Sequence, residues 1–385
     1  MATLIQTNDD LAAFCEKLKG SPFVTVDTEF IREKTYWPKL CLVQLASLEA
    51  AACVDPLADG IDLKPVFDLM QDENIVKVFH AARQDVEIFH HLTGSVPRPL
   101  FDTQVAAMVC GFGESVSYQT LVSKLAGTDI DKTMRFTDWS RRPLTQRQID
   151  YALCDVTHLR DVYARLKEIL EQTGRTEWVS EEIAFLSDPE TYENAPDKAW
   201  LKIKQNSHNP QFLGILQALA GWREEEAQKH DRPRKHIVRD ELLLELAAFA
   251  PATLEEMQSI RAVPQGFAEG RLGTAVRNVI KQTLEKGSDA CPKPEIRKDL
   301  PKGTKSLVKL LKLLLTVKSE QHDVAEKLIA DAQDLENLAL TDANGSRTLT
   351  GWRYTVFGQD ALALKNGKLA LCYNPKKHRV EFRQL

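Results

Sequence analysis

An α/β domain built on a mixed sheet, followed by two small all-α modules, is the fold that this 385-residue sequence predicts. Three observations lead there. Apolar runs of strand length crowd the first 80 residues, at 23–30, 40–46, 51–54 and 75–79. Beyond them, to about residue 171, apolar positions recur at helical spacing, and a strand bracketed by helices belongs to an α/β layer. Residues 208–286 and 304–340 are again helical in pattern, with little strand signal.

In chain order, residues 3–6 form a short first strand, and a helix runs from Asn8 to about residue 18 with Asn8 as its cap. The turn Gly20-Ser21-Pro22 leads into strand 23–30. Strands 40–46 and 51–54 are joined by a turn at 47–50, and Asp55-Pro56 ends the second. A helix at 63–70 and a buried strand at 75–79 follow, then helices at 83–92, 103–110, 118–125 and 145–170. Between 172 and 205 the pattern weakens, with Asp188, Pro189, Asn194 and Pro196 marking turns, so the first domain is placed at 1–200. Residues 208–288 make the first helical module, 289–303 a Pro-, Gly- and charge-rich linker, and 304–385 the second module. Near its end Asn366-Gly367 stands between alternating flanks and predicts a hairpin turn, with helix as the alternative through residue 364.

Hydrophobic content of 43% and charged content of 27% describe an ordinary soluble globular chain. The first residues lack a basic segment followed by an apolar run, so no secretory signal is expected. No apolar stretch approaches the roughly 20 residues a membrane span requires. Seven cysteines, odd in number and without a C-x-x-C, predict reduced thiols in a cytoplasmic protein and no structural zinc. The net charge of −5 hides an asymmetry: residues 1–200 carry −12 and residues 201–385 carry +7.

The chemistry begins at Asp27 and Glu29, two apart at the end of strand 23–30. Residues i and i+2 of a strand share a face, so the two carboxylates converge and repel unless a cation neutralises them. An ordinary acidic strand exit is the alternative. Asp85 falls in the first turn of helix 83–92, where the helix dipole favours an anion; a plain helix-start aspartate is the other reading. Tyr151 and Asp155, four apart, stand one above the other on helix 145–170 and could equally be a surface pair. Several carboxylates without His or Cys suit hard cations such as Mg²⁺ or Mn²⁺. Two such ions form the usual machinery for hydrolysing a phosphodiester, and a tyrosine hydroxyl beside them can orient the attacking water. Phe30 either stacks on a terminal base or is a core residue. Lys132 and Arg135 either reach backbone phosphates or are solvated.

The order Asp27-x-Glu29, Asp85, Tyr151-x-x-x-Asp155 resembles the DEDD exonuclease superfamily in its tyrosine-containing branch. Further segments resemble the ribonuclease D family: Tyr36-Trp37-Pro38, Leu42-Val43-Gln44, Asp55-Pro56-Leu57, Asp102-Thr103-Gln104, and Thr137-Asp138-Trp139 with Arg142-Pro143-Leu144-Thr145. This part of the resemblance covers roughly residues 20–170 and implies an RNase H-like fold. It also implies two divalent metal ions, with Asp27 bridging both. Glu29 and Asp155 would hold the ion that carries the nucleophilic water, Asp85 would steady the second, and Tyr151 would position the nucleophile. Many relatives place an asparagine shortly before the second-motif Asp; here the run is His80-Ala81-Ala82-Arg83-Gln84, which leaves a His80 contact to substrate open.

Residues 208–286, with Trp222-Arg223, Asp231-Arg232-Pro233 and Val263-Pro264, resemble an HRDC domain. Residues 304 to about 372, with Gly351-Trp352-Arg353, resemble a second, divergent copy. The apolar positions are a core stripe, which leaves Arg232, Arg234, Lys235 and Arg239 as the exposed candidates for contact. By resemblance the chain is a cytoplasmic 3′→5′ exoribonuclease releasing 5′-mononucleotides from structured RNA with a 3′ single-stranded extension, such as tRNA precursors. No required protein partner is evident in the sequence. The alternatives are a 3′→5′ DNA exonuclease and a nucleic-acid-binding scaffold whose site has lapsed.

Overall fold

The structure, a computed structural model, describes residues 4–130, 134, 137–287, 291–292, 301–341 and 346–385. Lys132 and Arg135 lie outside the described residues. The chain forms two compact units, one of Met1–Glu29, Leu40–Thr191 and Asp299–Leu385, the other of Phe30–Lys39 and Tyr192–Lys298.

The N-terminal region opens with β1 (Leu4–Ile5), α1 (Asn8–Leu18), β2 (Phe23–Ile31), β3 (Lys39–Ala46) and β4 (Ala51–Val54). It continues through α2 (Lys64–Gln71), β5 (Val76–Phe79), α3 (Arg83–Thr93), β6 (Leu100–Asp102) and α4 (Thr103–Val109). Then come α5 (Tyr118–Leu125), the long α6 (Gln146–Thr173) and α7 (Thr176–Ile183). The six strands lie in the order β1-β4-β3-β2-β5-β6. β5 runs parallel to β2 and β6, β1 parallel to β4, and β3 antiparallel to β4, so the sheet is mixed. Val24, Val26, Leu42 and Leu45 are fully buried in its centre. The sheet is tied to α6 by Thr25, whose hydroxyl donates to the Val156 carbonyl at 2.8 Å.

Two local expectations are corrected. Thr7, not Asn8, caps α1: its backbone is extended and its hydroxyl oxygen accepts from the Asp10 N–H. Asn8 is drawn away, donating to the Gly60 carbonyl at 3.0 Å and accepting from the Asp62 N–H at 2.8 Å. Strand β6 was not expected, because three residues are too few to show a period. At the start of α6, Thr145 and Gln148 form a reciprocal capping box, the T-x-x-Q signal that ends the preceding loop.

The second unit contains α8 (Pro210–Lys229), α9 (Arg234–Ile237), α10 (Asp240–Phe249), α11 (Leu254–Gln258) and α12 (Arg271–Lys286). Its core gathers Leu216, Leu219, Leu243, Leu246, Val276 and Ile280 around Tyr36 from the 30–39 segment. The Tyr36 hydroxyl donates to Glu224, and Arg234 donates to both Glu224 oxygens and, at 2.9 Å, to the Tyr36 oxygen. Asp231 accepts from the N–H groups of Tyr36 and Trp37 at 2.9 Å each. Arg234 is therefore half-buried and engaged, a correction to its expected exposure, whereas Arg232, Lys235 and Arg239 are exposed.

The C-terminal stretch returns to the first unit as α13 (Thr304–His322), α14 (Glu326–Ile329) and α15 (Ala332–Leu340). After these, α16 (Gly351–Arg353) continues through a π-helical turn at Tyr354–Gly358 into α17 (Gln359–Lys365). β7 (Leu369–Asn374) and β8 (Arg379–Gln384) pair as an antiparallel hairpin. Its turn is not Asn366-Gly367 but residues 375–378, since Asn374 pairs with Arg379. Asn366-Gly367 instead ends α17: Gly367 adopts φ +69°, its N–H donates to Leu364, and the Lys368 N–H donates to Ala363. A left-handed glycine with those two bonds stops a helix as readily as it turns a hairpin.

Candidate active site

The pleat of β2 puts Thr25, Asp27 and Glu29 on one face, and Thr25 fixes that face against α6. On α6, Tyr151 and Asp155 are one turn apart. Carboxylate oxygens of Asp27, Glu29 and Asp155 thereby lie within 4.8 Å of one another. Thr28 occupies the opposite face of the pleat and donates its hydroxyl to Asp85, which is only 7% exposed in the first turn of α3. Asp85 stands outside the group of three yet close enough to raise the pKa of Glu29 by repulsion.

The electrostatics follow from that crowding. Burial, then repulsion from Asp27, Asp155 and Asp85, pushes Glu29 up to about 9. Burial pushes Asp155 up to about 7. Asp27 is raised well above the ordinary carboxylate range by burial and by Asp155, and Asp85 by burial and by Asp27. Acids packed this way must stay protonated or share a cation. An all-oxygen set with no His or Cys in the group fits a hard divalent ion.

Beside the carboxylates lies a cleft of about 340 Å³, lined by Asp27, Tyr151 and Asp155 together with His80, Ser117 and Tyr118. The Tyr151 ring packs 6.1 Å from that of Trp139, and the Tyr118 hydroxyl donates to the Cys154 carbonyl, next to Asp155. His80 Nδ1 is 3.0 Å from the Thr103 hydroxyl, and burial lowers its pKa to about 4. The turn after His80 takes Ala81 to φ +59°, and Asp102 holds it by accepting from the Ala81 and Ala82 N–H groups. Arg142 braces the approach to α6, donating to both Asp55 oxygens and to the Cys41 carbonyl.

The five residues of the acid-and-tyrosine pattern are thus placed on β2, α3 and α6, with His80 in the cleft wall. Phe30 is half-buried at the end of β2 and is not among the residues lining the cleft. Sequence reading missed Ser117 and Tyr118; the one local signal was Ser117 as cap of α5, which says helix start rather than cleft wall.

A family model for 3′-5′ exonucleases matches residues 2–171, and one for HRDC domains matches residues 212–280. The chain is 51% identical to the ribonuclease D of Granulibacter bethesdensis, over 98% of this chain and 96% of that one. The chain belongs to the ribonuclease D family. The ribonuclease D of Nitrobacter hamburgensis is 49% identical over 96% of each chain. The crystal structure of Escherichia coli RNase D, described as an exoribonuclease involved in structured RNA processing, superposes with a TM-score of 0.84 at 30% identity. That match covers 95% of this chain and 99% of the other. A ribonuclease D is a 3′→5′ exoribonuclease, and its RNase H-like exonuclease fold carries divalent-metal dependence. No helix among the described residues is long and apolar enough to cross a membrane.

Proposed function

We propose that this ribonuclease D trims 3′ extensions of structured RNA, tRNA precursors foremost, releasing 5′-mononucleotides in the cytoplasm. The observation that carries the chemistry is the convergence of Asp27, Glu29 and Asp155 within 4.8 Å at the head of a nucleotide-sized cleft. Two divalent ions, Mg²⁺ or Mn²⁺, would when bound supply an activated water and neutralise the leaving oxygen. Asp27, Glu29 and Asp155 would hold one ion, and Asp85 together with Asp27 the other. The Tyr151 hydroxyl orients the attacking water and helps remove its proton. Thr28 holds Asp85 in place by a hydrogen bond, and Thr25 keeps β2 in register with Asp155 on α6.

Substrate preference for structured RNA draws support from the relative of E. coli and from the +7 charge of residues 201–385, which attract a polyanion that the acidic half repels. In this reading residues 304–385 are a second, divergent HRDC-like module. The test is a 3′-extended tRNA labelled at its 5′ end, incubated with the purified protein in Mg²⁺ or EDTA. Stepwise shortening that stops near the mature end, needs the metal and disappears in Asp27→Asn supports the proposal. Shortening in EDTA, or endonucleolytic fragments, would falsify it.

A further inference from the structure

His80 lies in the cleft wall with one ring nitrogen already committed. Its Nδ1 is 3.0 Å from the Thr103 hydroxyl oxygen, and that hydroxyl is also 3.0 Å from the Phe79 carbonyl. A threonine hydroxyl has one proton, and a carbonyl can only accept, so the proton goes to Phe79. The hydroxyl oxygen must then accept from Nδ1–H. This assigns the tautomer: Nε2 carries no proton and is an acceptor. Burial, which holds the ring pKa at about 4, keeps it in that form at neutral pH. Among the described residues no protein donor is assigned to Nε2.

The same cleft contains Asp27, Tyr151 and Asp155, and the Tyr118 ring stands 5.4 Å from the imidazole. A neutral acceptor there calls for a donor on the bound nucleotide. Base amino groups occur on only some nucleotides, whereas a ribose hydroxyl is present on every one. Of the two hydroxyls on a terminal ribose, the 2′-hydroxyl is the one that separates RNA from DNA.

Resting on the active-site reading above, we propose that His80 Nε2 accepts a hydrogen bond from the 2′-hydroxyl of the 3′-terminal ribose and so sets the enzyme's preference for RNA. The acceptor is pre-set by the Phe79–Thr103–His80 relay, and it discriminates because a substrate without a donor leaves a desolvated nitrogen unpaired.

The test uses the full-length enzyme with Mg²⁺ and one RNA strand changed only at its terminal sugar, carrying 2′-hydroxyl, 2′-deoxy, 2′-fluoro or 3′-deoxy. Fluorine occupies the place of the hydroxyl but cannot donate. Wild-type kcat/KM should drop about tenfold for both the 2′-deoxy and 2′-fluoro ends, the range of one hydrogen bond made to a buried partner. His80→Ala should bring that ratio to near one. A purely structural role for His80 would slow every substrate alike and leave the ratio unchanged, which overturns the proposal. Equal wild-type rates on 2′-hydroxyl and 2′-fluoro ends overturn it without any variant, so the test survives a poorly folded His80→Ala. A His80-dependent loss seen with 3′-deoxy in place of the 2′ changes overturns it too. Wild-type enzyme that shortens none of the strands would overturn the active-site reading itself.

Discussion

At the scale of single residues, the site depends on carboxylates held where burial alone would keep them protonated. Glu29 at about 9 and Asp155 at about 7 exceed the ordinary range near 4, so the folded protein keeps protons that the unfolded chain releases. Their contribution to stability is therefore complete below about pH 4 and is lost as pH rises through 7 towards 9. A divalent ion binds only the ionised set and offsets that loss, most at high pH. The melting temperature in EDTA should fall between pH 5.5 and 8.5, and the gain on adding Mn²⁺ should widen over the same interval. A gain that is flat or shrinks with pH contradicts the assignment. Tyr151 is tested by removing its hydroxyl alone. Tyr151→Phe keeps the ring against Trp139, so kcat should drop roughly 10²-fold at unchanged KM if the hydroxyl orients water. A raised KM at constant kcat would instead make Tyr151 a substrate-binding residue.

At the scale of elements, the segment Gly351-Trp352-Arg353 docks on α7. The Trp352 ring stacks on Trp178 with centroids 4.6 Å apart and planes 11° apart. Its indole N–H donates to Glu182 at 3.0 Å, and Arg353 donates to the same carboxylate at 2.6 Å. Gly351 adopts φ +52°, a left-handed conformation that calls for glycine; a Cβ there would meet only the mobile carboxylate end of Glu181. Glu182 is only 9% exposed, which makes the ion pair costly to break from one side. Arg353→Ala should destabilise the protein by about 3–5 kcal/mol in urea unfolding, because a buried carboxylate loses its partner. Replacing both partners by Glu182→Leu with Arg353→Met should recover most of that. No recovery in the double variant would mean that packing, and not charge, holds these segments together.

At the scale of the whole molecule, the opposed charges of the two halves make a prediction about RNA capture. Arg232, Lys235 and Arg239 are exposed on the HRDC domain, while Arg234 is engaged by Glu224. Changing the three exposed cations to glutamine in the full-length protein should weaken RNA binding and flatten the plot of log affinity against log salt. Each phosphate that the protein no longer neutralises lowers the slope by about 0.7 to 0.9. Equal slopes for variant and wild type would assign those cations to solvent. The full chain is required. Cutting after residue 200 would strip Tyr36 of Glu224 and Arg234, and Glu182 of Trp352 and Arg353.

The sequence by itself determined the strands and helices that carry the acids, because period-2 and period-3.6 burial is a local property of the chain. It also determined the Asp27, Glu29, Asp85, Tyr151 and Asp155 pattern, whose spacing reflects fixed strand and helix geometry. It did not determine the role of Asn366-Gly367, since one left-handed glycine serves a hairpin or a helix end equally well and only the following strand register decides. Nor did it show that Tyr36-Trp37 belongs to the core around α8, or that Trp352 stacks on Trp178. Those pairings join residues 188 and 174 positions apart, and nothing local encodes them. The state of His80 was decided at the same level. A histidine becomes a fixed acceptor only when a fold brings Thr103 and the Phe79 carbonyl to its other nitrogen.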